Sequence, residues 1–117
     1  MADLIQNYNF EDALHGNTYD AVVFNLPEEP AFSLEGAEIY MQLRRKPLQL
    51  VVAEFSSANL KIEIVSNYCF QLKTQVIEVT PDTYFYDILI VFADQRRETY
   101  IGGKWTIQSA ITLKKQI

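Results

Sequence analysis

The chain has 117 residues, 49% of them hydrophobic and 21% charged, with a net charge of −5 at neutral pH. That length suits one domain, residues 1–117, with a core of its own, since a chain of this size buries about two-thirds of its unfolded surface. The acidic balance repels phosphate backbones, so nucleic acid is not an expected partner. No run approaches the roughly 20 apolar residues that a membrane helix needs.

The start, MADLIQNYNFEDAL, has no basic stretch followed by a long apolar one, so it does not read as a secretory signal. Synthesis in the cytoplasm without membrane insertion is expected. Residues 1–14 read as an N-terminal arm beside the core, because terminal segments stay loose until something ties them down. His15 follows in LHGN, a turn. TYDAVVFNL then reads as a strand, and Pro27-Glu28-Glu29-Pro30 as a stiff loop.

AEIYMQLR alternates cleanly. Ala37, Ile39, Met41 and Leu43 point one way, and Glu38, Tyr40, Gln42 and Arg44 the other. That period of two predicts a strand with one buried and one wet face. Lys46-Pro47 ends it, since proline cannot donate to a ladder. LQLVVAEF, NLKIEIV and YCFQL supply further strands, the last with Tyr68, Phe70 and Leu72 on one face. QVIEV is a short strand or a link. Short β-branched and aromatic runs at this spacing predict an all-β sandwich of about seven to eight antiparallel strands.

The longest signal is PDTYFYDILIVFADQRRETYIGGKWTIQ, a hairpin from Pro81 to Gln108. A turn at Ala93-Asp94-Gln95-Arg96 sets Ile88 against Ile101, Tyr86 against Gly103 and Tyr84 against Trp105. Glycine opposite tyrosine leaves room for the ring. Ile107 and Ile111 continue that inner face. The other face is expected to be polar, yet it carries Phe85, Leu89 and Val91, with Tyr100 opposite Leu89. Asp87, Glu98 and Lys104 only dilute it. Exposed patches of this size are unusual on monomers, so either the arm or another chain should cover them. Asp82, Tyr86 and Ile88 also fit the tyrosine corner of immunoglobulin-type sandwiches, with Tyr86 as the corner residue.

Groups for chemistry are few. His15 is the only histidine, and a catalytic base needs an oriented partner and a nucleophile. Cys69 is the only cysteine, which excludes an internal disulfide, and it lacks basic neighbours in sequence. One histidine and one cysteine do not make a usual zinc site. Glu28-Glu29, Glu54, Asp82 and Asp94 are scattered, with no calcium-loop spacing. Gly102-Gly103 lies within a strand pattern, so it reads as a bulge or a close-packing point and not as a phosphate loop. No enzyme activity, cofactor or metal is expected. Arg44-Arg45-Lys46, Arg96-Arg97 and Lys114-Lys115 sit at strand ends or turns. They read as solubility and edge protection, or as contacts to acidic patches on a neighbouring subunit.

Four stretches in order, GNTYDAVVFNL, LEGAEIYMQLRRKP, the long hairpin and the closing AITL, give the chain a family resemblance. It resembles the immunoglobulin-like N-terminal domain of phage baseplate upper proteins and related prophage tail and virion structural proteins. The family's central strand matches at Leu34, Gly36, Ala37, Ile39, Met41, Leu43 and Arg44. Its hairpin matches at Pro81, Thr83, Tyr84, Tyr86, Asp87 and Ile88, then at Tyr100, Ile101, Gly103, Trp105 and Ile107. The chain departs from the family at two turns, where Asp82 and Gln95 replace glycines.

The resemblance implies an immunoglobulin-like sandwich in a non-enzymatic virion protein, made in the bacterial cytoplasm. It would be a tail or baseplate docking module whose partners are other tail subunits or further copies of itself. Phe85, Leu89, Val91 and Tyr100 would form the interface. The alternative is a carbohydrate-binding sandwich presenting Tyr40, Tyr68 and Tyr100 to a sugar.

Overall fold

The computed structural model describes residues 6–46 and 49–110. Pro47, residues 111–113 of the AITL motif and Lys114-Lys115 lie outside these. Eleven strand segments follow one another: β1 (Gln6–Asn7), β2 (Ala13–Leu14), β3 (Thr18–Tyr19), β4 (Val22–Asn25), β5 (Glu38–Arg44), β6 (Ala53–Ser56), β7 (Ile62–Ser66), β8 (Cys69–Leu72), β9 (Gln75–Val76), β10 (Asp82–Val91) and β11 (Arg97–Gln108). One 3-10 turn, Pro30–Phe32, starts at a proline that presets its backbone. With β1 and β2 taken as one course and β3 and β4 as another, nine courses are described: the eight of the sequence reading, with QVIEV a strand, and the N-terminal one, expected there as an arm.

The protein is an all-β sandwich. One sheet runs β1-β11-β10-β5-β6, with β2 also on β11, the opposite sheet runs β4-β8-β7, and β3 pairs with β9 in a short two-stranded sheet. Inward residues of both sheets interlock. Ile39, Met41 and Leu43 of β5 and Tyr84, Tyr86, Ile88 and Ile90 of β10 meet Phe24, Phe70, Leu72 and Ile62 from the opposite sheet. Phe24 stacks on Phe70 at 5.1 Å between the paired β4 and β8. Fully burying each such side chain contributes roughly 1.5–3 kcal/mol.

Tyr84 is the corner tyrosine: its hydroxyl donates to the Thr80 carbonyl four residues upstream. The sequence reading put Tyr86 there, two residues late. Tyr86 is instead the inward residue that follows the corner, and its hydroxyl donates to the Tyr8 carbonyl.

The hairpin register agrees with the sequence reading at Tyr84–Trp105, Tyr86–Gly103 and Ile88–Ile101. It then shifts. Leu89 faces Thr99 and Val91 faces Arg97, because Tyr100 is an extra residue in β11. A bulge of this kind bends the strand and re-aims a side chain. Here it turns the Tyr100 ring inward, 7% exposed, onto Phe32 and Phe92.

The β10–β11 loop has three residues, Ala93-Asp94-Gln95, closed by Phe92 N–H to the Arg96 carbonyl at 2.9 Å. Its last position, Gln95, has φ +73°, a conformation that favours glycine. Gln95→Gly is expected to raise stability by about 0.5–1 kcal/mol. Urea denaturation would show it as a higher midpoint at unchanged slope.

The N-terminal segment is not an arm lying outside the core. Gln6 to Leu14 runs parallel to β11, pairing Gln6 with Ile101 and Ala13 with Ile107. Phe10 and Ala13 are buried in the core.

Candidate functional site

Two regions of the first sheet concentrate the aromatic and charged side chains. One is the seam between the N-terminal segment and β11. Phe10 enters a cage of rings, 4.8 Å from Trp105, 4.9 Å from Tyr86 and 5.2 Å from Tyr8. Polar tips of that cage hold the segment's backbone. The Trp105 indole donates to the Glu11 carbonyl at 3.1 Å, and the Tyr19 hydroxyl donates to the same carbonyl at 2.7 Å. Burial, followed by the nearby Tyr8, Glu11 and Asp12, pushes the Tyr19 phenol up to about 12. Burial likewise raises Tyr86 well above the usual phenol range. Both therefore stay protonated as donors at neutral pH.

Gly103 belongs to this seam. A Cβ at this position would overlap the Tyr8 carbonyl oxygen and lie 2.8 Å from Asn9 Oδ1. The glycine is required by the close approach of the segment's backbone, not by the Tyr86 ring opposite it. All of these contacts join parts of one domain, so the seam is structural.

The other region is the outer face of the same sheet. Its rows follow from the register: Arg44–Phe85–Lys104, Gln42–Asp87–Gly102, Tyr40–Leu89–Thr99 and Glu38–Val91–Arg97. Phe85, Leu89 and Val91 are half-buried on the middle strand, with exposed Asp87 separating Phe85 from the other two. Lys104 Nζ lies over the Phe85 ring at 5.3 Å, a cation–π contact that leaves part of the ring covered. Tyr40 donates to Glu38 Oε1 at 2.5 Å, and Gln42 donates to Glu54 Oε1 at 2.9 Å. Leu89, Val91, Tyr40, Glu38 and Arg97 line a depression of about 280 Å³ at the hairpin end of this face.

Of the four expected interface residues, the face brings together Phe85, Leu89 and Val91. Tyr100 does not share it, because the bulge takes its ring to the inner side. Tyr40 does share it, since its strand partner is Leu89, and the alternation of AEIYMQLR already carried that signal. Residues 6–14 lie along the sheet edge and do not cover these side chains.

The edges of this sheet are the N-terminal segment, laid along β11, and β6. On β6, the Asn59 side-chain amide takes the place of a neighbouring strand: its Oδ1 accepts from Ser56 N–H at 2.9 Å and its Nδ2 donates to the Glu54 carbonyl at 3.0 Å. Covering an edge in this way blocks pairing with another chain.

The remaining sequence candidates are placed elsewhere. His15 Nδ1 donates to the Val79 carbonyl at 2.9 Å, tying the turn after β2 to the segment after β9. Cys69 is half-buried in β8 and unpaired. Among the described residues no group of three or more His, Cys, Asp or Glu is set to hold a metal ion. Arg45 and Asp82 pair at 2.8 Å, and the Asp82 carboxyl is held below its usual range by the Thr83 N–H first and by Arg45 second. Tyr40 lies on β5, Tyr68 in the turn between β7 and β8 of the other sheet, and Tyr100 is inside, so the three rings proposed for a sugar do not make one platform. Compared with known proteins, the chain matches no family model and no curated protein.

Proposed function

We propose that the chain is a non-enzymatic structural component of a phage or prophage virion, a tail or baseplate docking module that acts through protein–protein contacts. One observation supports this reading most. On the open outer face of the first sheet Leu89 and Val91 form an apolar pair, with Phe85 beyond Asp87, and Arg44, Lys104, Glu38 and Arg97 flank them. Apolar groups flanked by charged ones are the anatomy of a protein interface. The resemblance in the long hairpin supplies the virion context.

Induced particles purified by density test the proposal. Mass spectrometry should find the tryptic peptide Glu98 to Lys104 in step with tail proteins, and its absence from particles rich in tail proteins would remove the virion reading. Leu89→Arg is expected to leave the fold intact, because Leu89 is half-buried on the outer face. It should cut incorporation into particles at least tenfold, since charge at an interface centre is excluded. A Leu89→Arg chain that unfolds alone would instead make Leu89 part of the core.

A further inference from the structure

We propose that the free edge of β4 takes up an extended segment of another protein, apolar in the middle and basic at its ends, as an added strand. This surface goes beyond the docking face described above, which lies on the other sheet. The phase of the β4–β8 pairing shows what the edge offers. Leu26 N–H donates to the Tyr68 carbonyl at 2.7 Å, and Phe24 and Val22 stand in the same phase, opposite Phe70 and Leu72. Bonded and outward-facing backbone groups alternate along an antiparallel strand. Val23 and Asn25 therefore turn their N–H and C=O groups away from β8, and among the described residues nothing pairs with them. Both residues are exposed, Val23 by 53%. The N-terminal segment passes close by, with the Tyr8 ring 5.7 Å from Phe24, but its backbone bonds go to β11.

The other edges are guarded. Asn59 caps β6, β7 carries a register shift between Ile64 and Ser66, and the outermost course of the first sheet is two strands of two residues each. Caps, bulges and short strands of this kind block strand addition. β4 has neither cap nor bulge. Its register with β8 is continuous, and Ala21 to Leu26 holds no charged residue and no proline. A bare edge among guarded ones suits main-chain recognition, in which backbone bonds give affinity and side groups give specificity.

Charge chooses the occupant. Asp20 precedes the strand, Glu28 and Glu29 follow it, and all three are exposed. Against them stand Lys73, next to the Val22–Leu72 pair at the end of β8, and Arg96, which is already held by the Ala31 carbonyl, Glu98 and the face of Phe92. A second copy fits poorly. Antiparallel pairing of β4 with itself about Phe24 would set Asp20 toward Glu28 of the other copy, and like charges opposed across strands repel. A strand with basic ends meets an acid at each end instead.

Titration of the full, isotope-labelled chain with two synthetic peptides, followed by amide signals, tests this. Both peptides alternate valine and threonine in the middle; one carries two lysines at each end and the other two glutamates. The lysine peptide should shift the Val23 and Asn25 amide signals most, slow their hydrogen exchange and bind at least tenfold more tightly than the glutamate peptide. High salt should narrow that difference, because screened charges contribute less. Val23→Pro removes an outward N–H and no bond to β8, a placement that an edge strand tolerates, and it should weaken binding at least tenfold. Glu28→Lys with Glu29→Lys changes only exposed loop positions and should cut the affinity for the lysine peptide at least tenfold. Failure of both peptides to bind, or equal binding of the two, would overturn the proposal. So would Val23 and Asn25 amides that are protected in the free chain and lose protection when residues 1–5 or 111–117 are removed, since the chain would then fill its own edge. Particles that contain the chain although neither peptide binds would leave the docking reading standing on the outer face of the first sheet.

Discussion

Gly103→Ala is expected to release the N-terminal strand and to lower stability by about 2–3 kcal/mol, the range for forcing atoms into a packed site. The new methyl group has no room, since it would overlap the Tyr8 carbonyl oxygen. That carbonyl also cannot move aside cheaply. Tyr86 donates to it from inside, and the adjoining Tyr8 N–H is fixed to the Gly102 carbonyl at 2.8 Å. Relief requires the whole segment to lift from β11. Urea denaturation should show the loss, and limited proteolysis should show new cleavage between residues 7 and 14. An unchanged midpoint would mean that the segment slides without cost.

Phe10→Ala is expected to cost more, about 3–5 kcal/mol, because it empties a site packed by several rings. Phe10 is 4% exposed and has Trp105, Tyr86, Tyr8 and Phe24 around it. Against a total stability of roughly 5–15 kcal/mol, the substitution takes a large share. The pair is expected to be non-additive. Once Gly103→Ala has lifted the strand, Phe10 has already left its cage, so the double variant should lose less than the sum of the two. Full additivity would show that the cage persists without the strand pairing.

Much of the sandwich was legible because its signals are local. AEIYMQLR shows its two faces in seven or eight consecutive letters, and its alternation is the observed burial of β5. The hairpin pairs at Tyr84, Tyr86 and Ile88 come out of a turn one residue different from the observed loop, and they agree because the bulge at Tyr100 makes up that residue. The misreadings came from features without a local trace. The bulge at Tyr100 changes the facing of every residue beyond it, and nothing in ETYIGG announces it. The tyrosine corner is decided by which hydroxyl reaches Thr80, and both Tyr84 and Tyr86 had the spacing to compete. NYNFEDAL gave no strand period because its partner lies on the far side of the sequence and its pairing is interrupted between Asn7 and Ala13. At the candidate site, Phe85, Leu89 and Val91 were readable from alternation alone. The Asn59 cap was not, because an amide that imitates a strand depends on how a turn presents it.

The parallel seam between Gln6–Leu14 and β11 also sets an order in time. A chain is synthesised from its N-terminus, so the segment emerges well before its partner strand. Until β11 arrives, Phe10 has neither Trp105 nor Tyr86 to pack against in final form. Contacts between such distant parts of a sequence slow folding, because the loop between them must close before anything is gained. The domain should therefore reach its native state only after synthesis of β11, in one late step that docks the first strand upon the last. Nascent chains arrested before Arg97 would leave the N-terminal segment open to protease, and extension past Gln108 would protect it.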